Sequence, residues 1–179
     1  MNIMVISAHP DLSRSRANRT LAKKLKEEKN LLYRDLYTEY PDWHIDAQKE
    51  QRLLLAYDRI VLQFPLYWYS CPPLLKKWFD DVFTFGWAYG TGGDRLRGKE
   101  FMIVTAAGGT AESYRSGGDN EFTISELLRP IQRTITKCNG TYLPVFVTYN
   151  ADKGTDDYLA AEAERLSELI RRPIEALAH

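Results

Sequence analysis

Three short segments of this 179-residue chain carry residue types suited to holding a ligand. The first, AHPDLSRSRAN at 8–18, gathers hydroxyls, Arg14, Arg16 and Asn18 at the start of a helical pattern. A helix N-terminus offers unpaired backbone N–H groups and the positive end of a dipole, which suits an anion. The segment contains neither GxGxxG nor GxxxxGK[ST], so a dinucleotide fingerprint and a P-loop are both excluded. Its serines serve equally well as plain helix caps with both arginines solvated, and His9 alone reads as a turn residue. The second segment, QFPLYWYSCPP at 63–73, places Tyr67, Trp68 and Tyr69 in a row. Three consecutive aromatics on an irregular segment cannot all enter one core. They offer stacking surface to a planar heteroaromatic ligand, and an aromatic dimer interface is compatible with the same residues. The third, AAGGTAESYRSGGDN at 106–120, has Gly108 and Gly109 directly after an apolar run. Glycine there lets the backbone approach a ligand closely, although a flexible turn accounts for it nearly as well. Tyr114 adds a phenol able to donate a hydrogen bond to developing negative charge.

Other chemistries find little support. His9, His44 and His179 show no HxxxH or HExxH spacing, so no metal site is expected. Cys71 and Cys138 lie far apart without CxxC spacing, and Cys71 has no neighbouring His or Lys to activate it.

Elements that bring the three segments together are legible in the hydrophobic pattern. Apolar runs at 2–8, 59–65 and 101–107 read as buried strands, with further strands at 31–37 and 142–148. Helical spacing covers 13–28, 46–56, the stretch after Pro72 and Pro73, 122–137, and the end of the chain from about Thr155. Alternating strands and helices imply right-handed βαβ crossovers. Five strands fit an α/β, flavodoxin-like three-layer sandwich with a parallel sheet of order 2-1-3-4-5, in one domain over residues 1–179. Eight strands would be needed for a TIM barrel, which is excluded. In the doubly wound sheet, ligands sit where the strand order reverses, beyond the strands' carboxyl ends. That rule joins the three segments in one place.

Composition narrows the function classes. Lys plus Arg equals Asp plus Glu at 24 each, which argues against a nucleic-acid binder and a polybasic membrane-surface protein. The neutral balance also speaks against an acidic electron carrier. The N-terminus lacks a signal-peptide pattern and no apolar run is long enough to span a bilayer, so a cytoplasmic protein is expected. Aromatics form 12% of the chain, and ten of them fall between Phe64 and Tyr89. Of these, Trp78, Phe79 and Phe83 suit the buried face of a helix, while Phe85, Trp87 and Tyr89 fall on an excursion expected to meet a second subunit.

The chain resembles the flavodoxin-like NAD(P)H:quinone oxidoreductases of the DT-diaphorase type. The resemblance is carried by AHP (8–10), SRAN (15–18), YPDWHID (40–46), FPLYWYSCPPLLKKWFDDVFTFGWAYGTGG (64–93), LRGK (96–99) and TAAGG (105–109). It is nearest to the bacterial branch of ancillary oxidoreductases of glutathione-gated potassium-efflux systems, general-stress reductases and drug-activity modulators. The resemblance implies a non-covalent flavin, a homodimer with pockets at its interface, and ping-pong transfer of two electrons from NAD(P)H to a quinone-like acceptor. By motif position it implies that His9, Ser15, Arg16, Ala17 and Asn18 hold the ribityl phosphate. Pro65, Leu66, Tyr67, Trp68, Tyr69, Ala106, Ala107, Gly108 and Gly109 would hold the isoalloxazine, and Tyr114 is the catalytic candidate. Two departures stand out. The family's histidine in the fourth-strand loop falls near Asn120, which puts a proton relay there in doubt, and Ala106–Ala107 replaces the usual Thr-Thr. The long C-terminal extension that helps hold FAD in the larger enzymes is absent, so FMN is expected and FAD is the alternative. The same resemblance leaves a second function open, an ancillary regulatory subunit held at the inner membrane by a potassium-efflux transporter. The physiological acceptor and the choice of NADH or NADPH stay open.

Overall fold

The computed structural model describes residues 1–173, so His179 lies outside the described residues. Its centre is a parallel sheet of order β2-β1-β3-β4-β5, formed by β1 (Ile3–Ser7), β2 (Leu31–Asp35), β3 (Arg59–Pro65), β4 (Glu100–Ala106) and β5 (Thr141–Tyr142). Every residue of β1 and β3 is buried, which is why these strands read as unbroken apolar runs. Alternate residues face opposite layers. Ile3, Val5, Val61 and Val104 pack against Leu21 and Leu25 of α1 (Arg16–Glu27) and against Ala163 and Leu166 of α7 (Asp156–Leu169). Met4, Ile6, Ile60 and Leu62 face the other layer. There they meet Leu54 of α3 (Ala47–Ala56), Leu75 and Trp78 of α4 (Pro73–Val82), and Ile131 of α6 (Arg129–Lys137). The register sets Ser7 beside both Asp35 and Gln63, and Pro65 beside Ala106, so the strand ends that carry the loops are aligned.

Three expected boundaries shift, each for a local reason. The helix expected over 122–137 is two, α5 (Ile124–Leu127) and α6, separated at Leu128. Pro130 has no N–H to continue the ladder to the carbonyl of Glu126. The strand expected over 142–148 is likewise split into β5 and β6 (Phe146–Thr148), each pairing with β4. Pro144 lies between them and cannot donate to the sheet. Strand β2 stops at Asp35 because its carboxylate accepts the N–H groups of Tyr37 and Thr38 at 3.0 and 3.3 Å and starts the short α2 (Leu36–Glu39). Helix α3 is opened by Asp46 as the pattern predicts, its carboxylate accepting the Lys49 N–H at 2.9 Å.

A buried charge network clamps this second layer. Glu50 of α3 is fully buried; its carboxylate accepts both Arg34 terminal nitrogens at 2.6 Å, the Tyr40 hydroxyl at 2.6 Å and the Trp78 indole N–H at 2.9 Å. Arg34 is also paired with Glu39. Four donors on one carboxylate offset the cost of removing the charge from water. Part of the LRGK motif is structural too: the Lys99 ammonium donates to the carbonyls of Leu55 and Tyr57 at 2.7 Å, closing the C-terminus of α3.

Candidate functional site

Beyond the carboxyl ends of β1, β3, β4 and β6 opens a cleft of about 500 Å³. Its walls come from the loop after β1 (His9, Pro10, Asp11, Arg14), the start of α1 (Ser15, Asn18), the loop after β3 (Pro65, Leu66, Tyr67), and Ala106, Gly108, Ala151 and Asp152. The strand order reverses between β1 and β3, so this is the crevice that a doubly wound sheet reserves for ligands.

Helix α1 points its N-terminus into the cleft. Ser15 is the N-cap, its hydroxyl accepting the Asn18 backbone N–H at 3.2 Å and the Asn18 side-chain amide at 3.1 Å. The N–H groups of Arg16 and Ala17, at the first two helical positions, have no intrahelical acceptor. Ahead of them Leu12–Arg14 form one 3-10 turn, opened by Asp11, whose carboxylate accepts the Ser13 N–H at 3.1 Å and its hydroxyl at 2.6 Å. The Ser13 hydroxyl lowers the Asp11 pKa most, with Arg14 contributing, and the group stays ionised. Asp11 therefore lines the cleft as an ionised carboxylate.

His9 is 7% exposed, and its ring meets that of Tyr67 edge-on with centroids 6.3 Å apart. Burial pulls its pKa below 6.5, while Asp11 and Asp35 pull the other way. The ring is therefore neutral at pH 7. Tyr114 and Gly109, the residue after Gly108, lie outside the cleft lining: a Cβ on Gly109 would lie 3.1 Å from the Tyr114 ring. Burial first, and then neighbouring Tyr69, raise the Tyr114 pKa above 10, so the phenol keeps its proton. Its ring sits 6.0 Å from that of Tyr149.

The structure gathers some of the expected residues and sets others apart. His9, Ser15, Asn18, Pro65, Leu66, Tyr67, Ala106 and Gly108 line the cleft. Arg16 is not among the lining residues; it pairs with Asp156 at 2.6 Å and donates to the carbonyl of Asp152 in the cleft wall at 3.3 Å. Arg14 stands in the cleft wall instead and makes no ion pair among the described residues. Ala17 is buried against Ala106, Ala151 and Leu159, where a small residue lets α1 approach the sheet. Ala107 is buried with its N–H on the Thr148 carbonyl at 2.9 Å, and Gly109 accepts the Asn150 N–H at 2.9 Å. Trp68 and Tyr69 form the tip of a tight hairpin closed by paired bonds between Tyr67 and Ser70 at 3.0 and 2.9 Å. Both have positive φ (44° and 62°), an unusual conformation for aromatic residues that throws Trp68 outward to 91% exposure. Tyr69 lines a separate recess with Asn120 and Phe122. Ala151 and Asp152 come from a fourth loop, between β6 and α7, that the sequence reading did not include. The turn-forming run Asn150–Gly154 was its only signal.

Among the exposed large hydrophobics are Trp43, Tyr67, Trp68, Tyr69, Phe85, Tyr89 and Phe122, of which Tyr67 lines the cleft. Glycines shape the excursion at 85–93: a Cβ on Gly90 would strike the Phe85 ring at 2.3 Å, and one on Gly93 the Tyr89 carbonyl at 2.1 Å.

Comparison with known proteins places this geometry in context. The family described as having a flavodoxin-like fold matches residues 1–170. The NAD(P)H oxidoreductase YrkL of Bacillus subtilis is 46% identical over 171 residues, covering 96% of this chain and 98% of the relative. The glutathione-regulated potassium-efflux system ancillary protein KefG of Salmonella paratyphi B is 38% identical over 174 residues, 97% of this chain and 95% of its own. Among solved structures, general stress protein 14 of Treponema denticola, in complex with FMN, superposes with a TM-score of 0.90 at 33% identity, covering 99% of both chains. An NADPH-quinone reductase of P. pentosaceus superposes with a TM-score of 0.87 at 33% identity, covering 97% of this chain and 99% of the other.

Proposed function

This chain belongs to the flavodoxin-like fold family, and from that premise we propose that it is an FMN-dependent NAD(P)H oxidoreductase acting on a quinone-like acceptor. The observation that carries the reading is the α1 N-terminus opening into the switch-point cleft beside Tyr67 and Gly108. The residues present fit a flavin phosphate. Arg14 and Ser15 line the cleft, and the N–H groups of Arg16 and Ala17 that follow the Ser15 cap have no intrahelical acceptor. Asn18, which lines the cleft, has its Oδ1 buried without a hydrogen-bond partner, polar capacity that calls for a ligand or ordered water. The FMN-bound relative from Treponema supports FMN over FAD.

Bound FMN would supply two-electron hydride chemistry between NAD(P)H and the acceptor, chemistry that belongs to the cofactor. The protein's residues bind and orient. Neutral His9 would offer a single ring N–H, and Arg14 a cation, from the cleft wall to the phosphate. Pro65, Leu66 and Tyr67 wall the ring end, and Gly108 keeps the opposite wall free of a side chain. Tyr114 keeps its phenolic proton at neutral pH beside Gly109 and would supply a hydrogen-bond donor to a flavin ring that reached past Gly108. The exposed aromatic side chains, Trp68 and Phe85 above all, support a homodimer of single-domain subunits. No described helix is long and apolar enough to cross a membrane, and a cytoplasmic location is part of the proposal.

The test is purification of the full chain followed by a visible spectrum and an NADPH–menadione assay. A yellow protein that oxidises NADPH with menadione is expected. A colourless protein that takes up neither FMN nor FAD overturns the reading. The relationship to KefG favours a second role, an ancillary subunit of a potassium-efflux transporter. Co-purification with such a transporter that persists in a Tyr114→Phe variant without reductase activity would support it.

A further inference from the structure

We infer that Gln63 is a positioning residue that fixes the first turn of α1, and with it the phosphate cradle, against the sheet. The inference rests on the FMN reading above. Gln63 lies near the end of β3, is 1% exposed, and faces α1 beneath the cleft. Its side-chain amide donates to the Asn18 carbonyl at 3.1 Å and accepts the Tyr33 hydroxyl at 3.3 Å. Asn18 in turn holds the Ser15 hydroxyl through its own amide at 3.1 Å. A chain of side chains thus runs from edge strand β2 through β3 to the cap of α1.

Packing does not require an amide at this position. The Asn18 carbonyl lies inside a helix and has an intrahelical partner, so Gln63 adds a second, lateral bond. An apolar residue of similar length would fill the same volume without the cost of burying a polar group. What the amide adds is direction. It sets how far α1 stands above the sheet and how its cap faces the cleft. Three and seven residues further along α1, Leu21 and Leu25 pack on the sheet without any such link, so the tie acts at the cradle end only.

The consequence is specific to the phosphate. A cradle slightly out of place loses charge-assisted hydrogen bonds to phosphate but leaves the ring end of the cleft unchanged. The experiment compares FMN with riboflavin, which lacks the phosphate, by fluorescence titration of the full-length protein freed of flavin. Gln63→Met is expected to lower FMN affinity by about tenfold while riboflavin affinity stays within about twofold. Tyr33→Phe, which releases the far end of the chain, is expected to give a smaller loss of the same kind, and it keeps the test intact should Gln63→Met fail to fold. Equal losses for both flavins, or no loss for FMN, overturn the positioning role alone. A wild-type protein that binds no FMN overturns both this inference and the reading beneath it.

Discussion

The Nδ1 atom of His9 accepts the backbone N–H of Asp11 at 3.1 Å. That bond settles the tautomer: in the neutral ring the proton is on Nε2, so His9 is a donor in one fixed direction. The side chain that read as an ordinary turn residue is thereby oriented by the backbone two positions on, in the loop that also presents Arg14.

The His9 environment predicts a pH signature. Its folded pKa lies below 6.5, so as pH falls the unfolded chain binds the proton first. The stabilisation is complete above about pH 6.5 and is lost as pH drops below it towards the folded value. Urea midpoints of the flavin-free protein should fall between about pH 7.5 and about pH 5.5, and His9→Asn should flatten part of that slope. Identical slopes for wild type and variant would contradict the assignment.

The two neighbouring arginines should separate cleanly. Arg14 lines the cleft without an ion pair among the described residues, whereas Arg16 is tied to Asp156. Arg14→Ala should weaken FMN binding roughly tenfold and leave riboflavin binding unaffected. Arg16→Ala removes a surface ion pair and should cost about 0.5 kcal/mol of stability, with FMN affinity within about threefold of wild type. Flavin fluorescence titrations and urea melts read the two effects. An Arg16 variant with the greater loss of FMN would reverse the roles.

Tyr114→Phe removes the hydroxyl while keeping the ring that packs over Gly109. Turnover of NADPH with menadione should fall on the order of a hundredfold, in the range seen for loss of a donor to developing charge. FMN affinity should be unchanged. Stopped-flow reduction by NADPH measured beside the FMN titration distinguishes this from a general loss of the site.

The buried network around Glu50 predicts a large stability effect remote from the cleft. Glu50→Leu leaves Arg34 without one of its two carboxylate partners and the Trp78 indole without an acceptor. A loss of about 3–5 kcal/mol in urea unfolding is expected, as for removal of one partner from a buried pair. A variant within about 1 kcal/mol of wild type would show that the network contributes little.

Much of this architecture was readable from residue order. The apolar run at 59–65 coincides with β3, and Asp46 opens α3 as its type and place suggested. The pattern predicts unbroken elements where the chain breaks at Leu128 and Pro144, although Pro130, two residues after the first break, and Pro144 itself lack the N–H that would continue each element. Buried Arg34, Glu50 and Gln63 carried no signal, because a charged or amide residue in a strand or helix looks alike in sequence whether it faces water or a partner from another layer.

The sequence by itself determined the alternation of strands and helices, the two proline boundaries of the aromatic loop, and the presence of a capped helix after the first strand. These depend on hydrophobic period and on backbone chemistry confined to a few neighbouring residues. Only the tertiary structure decided which arginine faces the cleft, that the loop at 150–155 supplies a fourth wall, and that Gln63 ties the helix cap to the sheet. Each of those depends on contacts between residues far apart in the chain: Arg16 meets Asp156, and Gln63 meets Asn18. No local pattern encodes such a distance; it is set when the layers pack.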